Sequence, residues 1–192
     1  NSPFRTIKHE FPVFSNLSKA LEEKPDIAFI CNPTSLHMET ALLCAKAGCH
    51  LFIEKPLSHN LNFVGQLKSI LDNNLKVAMV GYMLRFHPCL QKTQEWIADK
   101  KIGNVVFART QWGEYLPDWH PWEDYRKSYA ANKNMGGGPA LTLSHEIDMM
   151  LWLFGKVKQV KGLTNHNSSL GINAEHAVDL LLSFENGISA NI

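Results

Sequence analysis

Apolar residues in the first hundred positions come in short runs, and the stretches between them carry apolar residues at helical spacing. The runs are "IAFIC" (27–31), "LFI" (51–53) and "VAMV" (77–80). They are too short for helices and are bounded by turn residues, which predicts buried strands. "LHMETALLCAKAG" (36–48) predicts a helix with Ser35 placed to cap it and Gly48 to close it. A second helical stretch runs from residue 61 to 72, and "PVFSNLSKALEEK" (12–24) predicts one further short strand and helix. Buried runs alternating with helices predict βαβ units, hence a parallel sheet covered on both faces.

The pattern changes after "HPCLQKTQEWIADKKIG" (87–103), a helix ending at Gly103. "NVVFARTQWGEYL" (104–116), "KQVKGLTNHN" (158–167), "EHAVDLLLSF" (175–184) and "ISANI" (188–192) read as strands, the last two joined by a turn at Asn186-Gly187. Only "LSHEIDMMLWLFG" (143–155) clearly interrupts them as a helix. The expected fold class is α/β, a partial Rossmann-type parallel sheet over residues 1–103 followed by an α+β domain with an open antiparallel sheet over 104–192.

Composition narrows the partners. The chain has 192 residues and a formal charge of +1, which gives no reason to expect nucleic acid or an anionic membrane surface. No apolar run approaches the roughly 20 residues of a membrane span, and "NSPFRTIKHE" lacks the layout of a signal peptide. A soluble, cytoplasmic protein is expected. The four cysteines fit neither a disulfide framework nor a CxxC pair and read as reduced thiols.

Ligands of open α/β sheets bind outside the carboxyl ends of the strands. Three such ends, "CNPTSLH", "EKP" and "GYMLRFHP", would bring Asn32, Thr34, Ser35, His37, Glu54, Lys55, Tyr82, Arg85 and His87 to one crevice. Taken singly, each also reads as a helix start, a solvated loop residue or a surface ion pair. In the later helix His145 and Asp148 share a face, which suits an acid/base histidine steered by a carboxylate or a hydrogen-bonded histidine at a domain boundary. A zinc helix of HExxH type would need a second histidine where Met149 stands, so no metal is expected. Trp119, Trp122 and Tyr125, interleaved with His120, Glu123, Asp124 and Arg126, suit a sugar or polyol, or equally a loop pinned by its aromatics. There is no GxGxxG, and "MGGGPA" follows a polar loop rather than a strand.

"CNPTSLHMETALLCAKAGCHLFIEKPLSHNL", "GYMLRFHP" and "GGGPALTLSHEIDMMLWLFG" together resemble the Gfo/Idh/MocA family of NAD(P)-dependent sugar and polyol oxidoreductases. "LPDWHPWEDYR" is similar, more weakly, to members that act on nucleotide-sugars. The resemblance implies a hydride-transfer enzyme with NAD or NADP as cofactor, a sugar, nucleotide-sugar or polyol substrate, and a homo-oligomer built on the second sheet. It also implies a chain lacking the family's first strand and glycine-rich turn, and its last sheet strands. Lys55 matches the family's catalytic lysine, His145 its catalytic histidine, and Asn32, Pro33, His37 and Glu54 positions around the cofactor. Pro56 matches a proline whose preceding bond is often cis. Tyr82, Arg85, Trp119, Tyr125, Arg126 and His145 are the residues expected to grip substrate. The family's additional acid, three or four residues before the histidine, is replaced here by Thr142 or Leu141. That departure keeps open a second reading, a dinucleotide- or sugar-binding homologue without the chemistry.

Overall fold

A computed structural model describes residues 11–166 and 169–192. The three early apolar runs form β1 (Ile27–Ile30), β2 (His50–Ile53) and β3 (Ala78–Val80), parallel and in the order β1-β2-β3. The register is continuous, with Phe29 opposite Phe52 and Ile53 opposite Val80. The connecting helices α2 (His37–Lys46) and α3 (Val64–Asn73) follow α1 (Leu17–Glu22) in the chain.

Both crossovers lie on one side, as successive right-handed βαβ units require. Ile30, Leu51 and Ile53 pack there against Met38, Ala41, Cys44 and Leu67. The opposite face, expected to be covered, presents Phe29, Val77 and Met79 to solvent, with Phe29 71 % exposed. Two further expectations fail locally. Residues 12–16 form no strand; Asn16 caps α1, its side chain accepting from Ser18 N and Lys19 N. Ser35 does not cap α2, because Pro33 sets the chain turning one residue earlier into a 3₁₀ turn over Thr34–Leu36. Gly48 does close α2, with φ of 89°.

α4 (Pro88–Ala98) starts on "HP", where His87 Nδ1 accepts from Cys89 N and Pro88 takes a position that needs no amide donor. The second sheet has the order β4-β7-β6-β5, from β4 (Phe107–Arg109), β5 (Val157–Asn165), β6 (Ala177–Phe184) and β7 (Ser189–Asn191). β5, β6 and β7 are antiparallel as expected, while β4 is only three residues long and lies parallel to β7. Asn167 of the strand expected over 158–167 lies outside the described residues.

Between β4 and β5 the chain is mostly short turns. The exceptions are α5 (Leu116–Trp119), α6 (Pro139–Thr142) and the longer α7 (His145–Phe154). α7 drives Met150 and Phe154 onto Leu182, Phe184 and Ala190 of the sheet. Its closing residue, Gly155, has φ of 85°.

"MGGGPA" is a packing device. A Cβ at Gly136 would lie 2.7 Å from Thr34 Cβ, and one at Gly137 only 2.4 Å from the Tyr129 carbonyl oxygen. The loop therefore docks backbone-close against the end of β1 and against its own preceding turns.

Phe184 is 1 % exposed and meets Phe154 edge-on at 5.7 Å between ring centroids. Phe184→Ala should destabilise the chain by about 3–5 kcal/mol in denaturant unfolding. Leu61→Ala, at an exposed position, should stay within about 0.5 kcal/mol; equal losses from both variants would contradict this core.

Candidate functional site

The carboxyl ends of β1, β2 and β3 face the α6–α7 junction. Lys55 lies two residues past the end of β2, and the Lys55–Pro56 bond is cis. The lysine is half-buried, and its Nζ donates to the Thr142 carbonyl at the end of α6. That bond joins the first sheet to the second half of the chain. Burial pushes the Lys55 amine below the ordinary lysine range, while Glu54 and Glu146 pull against that shift.

Glu54 bends back so that its Oε2 accepts from Lys55 N at 3.1 Å. Gly81, at the end of β3, leaves room for it: a Cβ there would lie 3.1 Å from the same oxygen. Asn32 donates its side-chain amide to Thr40 Oγ1 at 2.9 Å, and its Oδ1 is buried with no partner among the described residues.

His37 sits differently from its expected place at the cofactor. It is buried, with Nδ1 2.9 Å from the Pro56 carbonyl oxygen and Nε2 2.8 Å from that of Asn32. The ring lies between the two carbonyls, and whichever nitrogen carries the N–H donates to one of them, so the imidazole packs the Asn32 and Pro56 loops together. Pro33 begins the 3₁₀ turn beside them.

Across the junction stands His145, the first residue of α7. Its Nδ1 is buried with no hydrogen-bond partner among the described residues, and its ring meets Tyr82 edge-on at 5.8 Å. Burial and the nearby Lys55 charge push the imidazole below the usual histidine range, against the opposing pull of Glu54 and Asp148. Both effects favour the uncharged ring. Burial raises the Tyr82 phenol; the Ser144 hydroxyl lies near enough to favour its ionised form, yet without hydrogen-bond geometry.

Arg85, expected to grip substrate, is committed instead. Its Nε and Nη2 donate to Asp148 Oδ2 and Oδ1 at 2.8 and 2.6 Å, a two-point bond that uses the planar guanidinium fork. Asp148 in turn does not bond His145 but acts on it through space. Tyr125 and Arg126 are also occupied away from the lysine. Tyr125 donates its hydroxyl to the Leu170 carbonyl at 2.9 Å, and Arg126 lies over the Tyr125 ring and pairs with Asp124 at the surface. Trp119 lines a cavity of about 330 Å³ between the second sheet and the α6–α7 junction. Glu146, which the sequence reading passed over, is buried on the wall of that cavity. Among the described residues no helix is long and apolar enough to cross a membrane.

Comparison with known proteins gives two family matches. Residues 4–82 match the model described as "Oxidoreductase family, NAD-binding Rossmann fold", and residues 90–192 match "GFO/IDH/MocA C-terminal domain". Levoglucosan dehydrogenase of Pseudarthrobacter phenanthrenivorans is 30% identical over 150 residues, 76% of this chain and 37% of that protein. Myo-inositol 2-dehydrogenase of Thermotoga maritima is 29% identical over 132 residues, 68% of this chain and 36% of its own. Among solved structures, an NAD-binding protein from Listeria innocua superposes with a TM-score of 0.77 at 26% identity, over 93% of this chain and 51% of that one. The WlbA dehydrogenase of Bordetella pertussis, in complex with NADH and UDP-GlcNAcA, shares the fold with a TM-score of 0.80 at 22% identity, over 93% and 51% of the two chains. The chain thus spans between 36% and 53% of the length of the curated relatives it matches.

Because the half-buried His145 ring resists protonation, the native state should lose stability as pH falls through the ordinary histidine range, where the unfolded imidazole takes up a proton first. Asp148→Asn removes a charge that favours the imidazolium and frees Arg85, so His145 should titrate lower still. NMR titration of the ring reads this directly, and a raised midpoint would be the contrary result.

Proposed function

The chain belongs to the Gfo/Idh/MocA oxidoreductase family, and on that premise we propose that it works as an NAD(P)-dependent oxidoreductase on a hydroxyl group of a sugar or polyol. The observation that carries this reading is the half-buried Lys55 at the end of a parallel strand, opposite a histidine whose uncharged ring is favoured and whose Nδ1 has no hydrogen-bond partner among the described residues. The names of the relatives, levoglucosan and myo-inositol dehydrogenases among them, support a hydroxyl-rich substrate.

The strand ends fit a dinucleotide: Asn32 Oδ1 is a buried acceptor without a partner, and Gly81 keeps the neighbouring strand end bare. Asn32, Pro33 and Glu54 would hold the cofactor, which when bound supplies the acceptor or donor of a hydride at the hydroxyl-bearing carbon. The rest falls to the chain's own residues. Lys55, its charged form disfavoured by burial, takes the hydroxyl proton in the direction of oxidation and returns it in reduction. His145 Nδ1 orients the hydroxyl, Tyr82 walls the site, and the Arg85–Asp148 pair fixes α7 against the first sheet. Trp119 offers a flat apolar face to the carbon side of the ring.

In the same reading residues 1–103 form the cofactor domain and 104–192 the substrate domain. The protein acts in the cytoplasm. The exposed Leu163 and Leu181, which share one face of the second sheet, support a homo-oligomer interface there.

The test is an absorbance assay of NAD(H) and NADP(H) against a panel of sugars and polyols, run on the protein and on Lys55→Ala. Substrate-dependent turnover is expected, falling by about 10²–10⁴-fold in the variant while circular dichroism stays unchanged. An active Lys55→Ala protein, or cofactor binding with no turnover on any hydroxyl, would overturn the reading.

A further inference from the structure

The inward face of β6 does two things along its length. Leu182 and Phe184 pack on α7, and alternation along the strand puts Leu180, Val178 and, one residue before the strand, His176 on the same face. These three line the cavity of about 330 Å³. Trp112, Tyr115 and Trp119 give it aromatic surface, and Thr142 and Glu146 give it a helical wall. Neither Lys55 nor His145 lines it, but Thr142, whose carbonyl takes the Lys55 ammonium, joins the cavity to the lysine.

The polar groups of this cavity are incomplete. Both ring nitrogens of His176 and the Nε1 of Trp119 are buried with no hydrogen-bond partner among the described residues. The other described side-chain atoms in that condition, Asn32 Oδ1, Ser144 Oγ and His145 Nδ1, stand at a strand end and the start of α7. The His176 backbone N–H donates to the Asn165 carbonyl at 2.7 Å, which fixes the residue while its ring stays unpaired. Unmet buried polar groups are costly and are normally paired.

Their chemistry says what would pair them. A neutral imidazole offers one donor and one acceptor, and an indole one donor. Neighbouring hydroxyls both give and receive hydrogen bonds, so a hydroxyl-rich ring can meet all three nitrogens, while its C–H face suits the aromatic wall. A carboxylate only accepts and leaves the imidazole acceptor unmet. It would also meet like charge. Glu146 is 6 % exposed on the wall, and the Glu175 carboxyl packs so close to Gly138 that a Cβ there would lie 2.3 Å from its Oε1. Arg109 is the one Lys or Arg among the described lining residues, and Ala108 beside it packs inward, which turns the Arg109 side chain to the other face. At about 330 Å³ the cavity lies at the small end of the roughly 300–1,000 Å³ of ligand pockets, which suits one ring rather than a nucleotide-sugar.

We propose that this cavity binds an uncharged hydroxyl-rich ring and that His176 is the residue that selects it. Binding here is independent of catalysis; that the bound ring is also the substrate rests on the reading of Lys55 above. The substrate class then narrows to uncharged sugars and polyols, without sugar acids, sugar phosphates or nucleotide-sugars.

Calorimetric titration of the protein, without cofactor, with D-glucose, D-galactose and myo-inositol against D-glucuronate and glucose 6-phosphate tests the site. At least one uncharged ring should bind, and each anionic one more weakly by about tenfold or more. Glu175→Gln should narrow that gap. His176→Phe keeps a flat ring without the nitrogens and should weaken the uncharged ring by about tenfold, His176→Gln should regain part of the loss, and Leu163→Ala on the outer sheet face should change nothing. Monodeoxy forms of the bound ring give an arm that stands even if His176→Phe folds poorly: loss of one hydroxyl should cost the wild type about tenfold. No binding of any uncharged ring, glucuronate bound as tightly as glucose, or deoxy forms that all bind like the parent would overturn the proposal. So would undiminished affinity in a folded His176→Phe. Selective binding without turnover on any nicotinamide cofactor would overturn the functional reading and leave the site standing. Turnover of an uncharged sugar that His176→Phe leaves unchanged would do the reverse.

Discussion

A lysine ammonium half withdrawn from water, bonded to a carbonyl and to no carboxylate, is the constraint around which this molecule is arranged. Burying such a charge is unfavourable unless donors and fields compensate it. Compensation comes from three directions: the Thr142 carbonyl, the Glu54 carboxylate folded back beside it, and the field of Glu146. Each sits on or beside a different element, so the lysine can be held only if β2, α6 and α7 are all in place. The fold and the chemistry of the site are one requirement here.

The same economy explains how the surrounding segments are fastened. His37 sets its ring between backbone carbonyls of two loops, and Arg85 spends its planar fork on Asp148. Both look like ligand-binding groups by residue type. They serve instead as rigid ties that leave Asn32, Lys55 and His145 with open valences. Gly136 and Gly137 do the corresponding steric work, letting a loop of the second half press against Thr34 at the end of β1.

Much of this could be read in the residue pattern. Short apolar runs bounded by Asn-Pro, Glu-Lys-Pro and Gly-Tyr marked three parallel strands, and Asn-Gly marked the turn between β6 and β7. Asn32, Lys55 and Tyr82 reach one edge because parallel strands deliver their ends there, whereas the approach of His145, on α7, was implied by the family resemblance and not by the strand pattern. What escaped was set by distant contacts. Residues 104–116 look like one long strand, but only the stretch around Phe107–Arg109 pairs, with a partner some eighty residues later. Whether Arg85 or Tyr125 is free depends on which side chains the tertiary fold brings near, and no local spacing encodes that. Glu146 was hidden for a related reason: an acid in the first turn of a helix is an ordinary solvated residue until the sheet beyond it closes.

The placement of β4 also bears on how the chain acquires its shape on the ribosome. β1, β2 and β3 are joined by neighbouring helices, so their sheet can form once residue 80 has emerged, from contacts close in sequence. β4 hydrogen-bonds to β7 alone, and its register needs Ser189 to Asn191. Throughout the synthesis of the intervening residues the edge of β4 and the apolar side chains beside it wait without a partner. Lys55 is made early and kept waiting as well, because Thr142 and α7 gain their seat only when that late strand arrives.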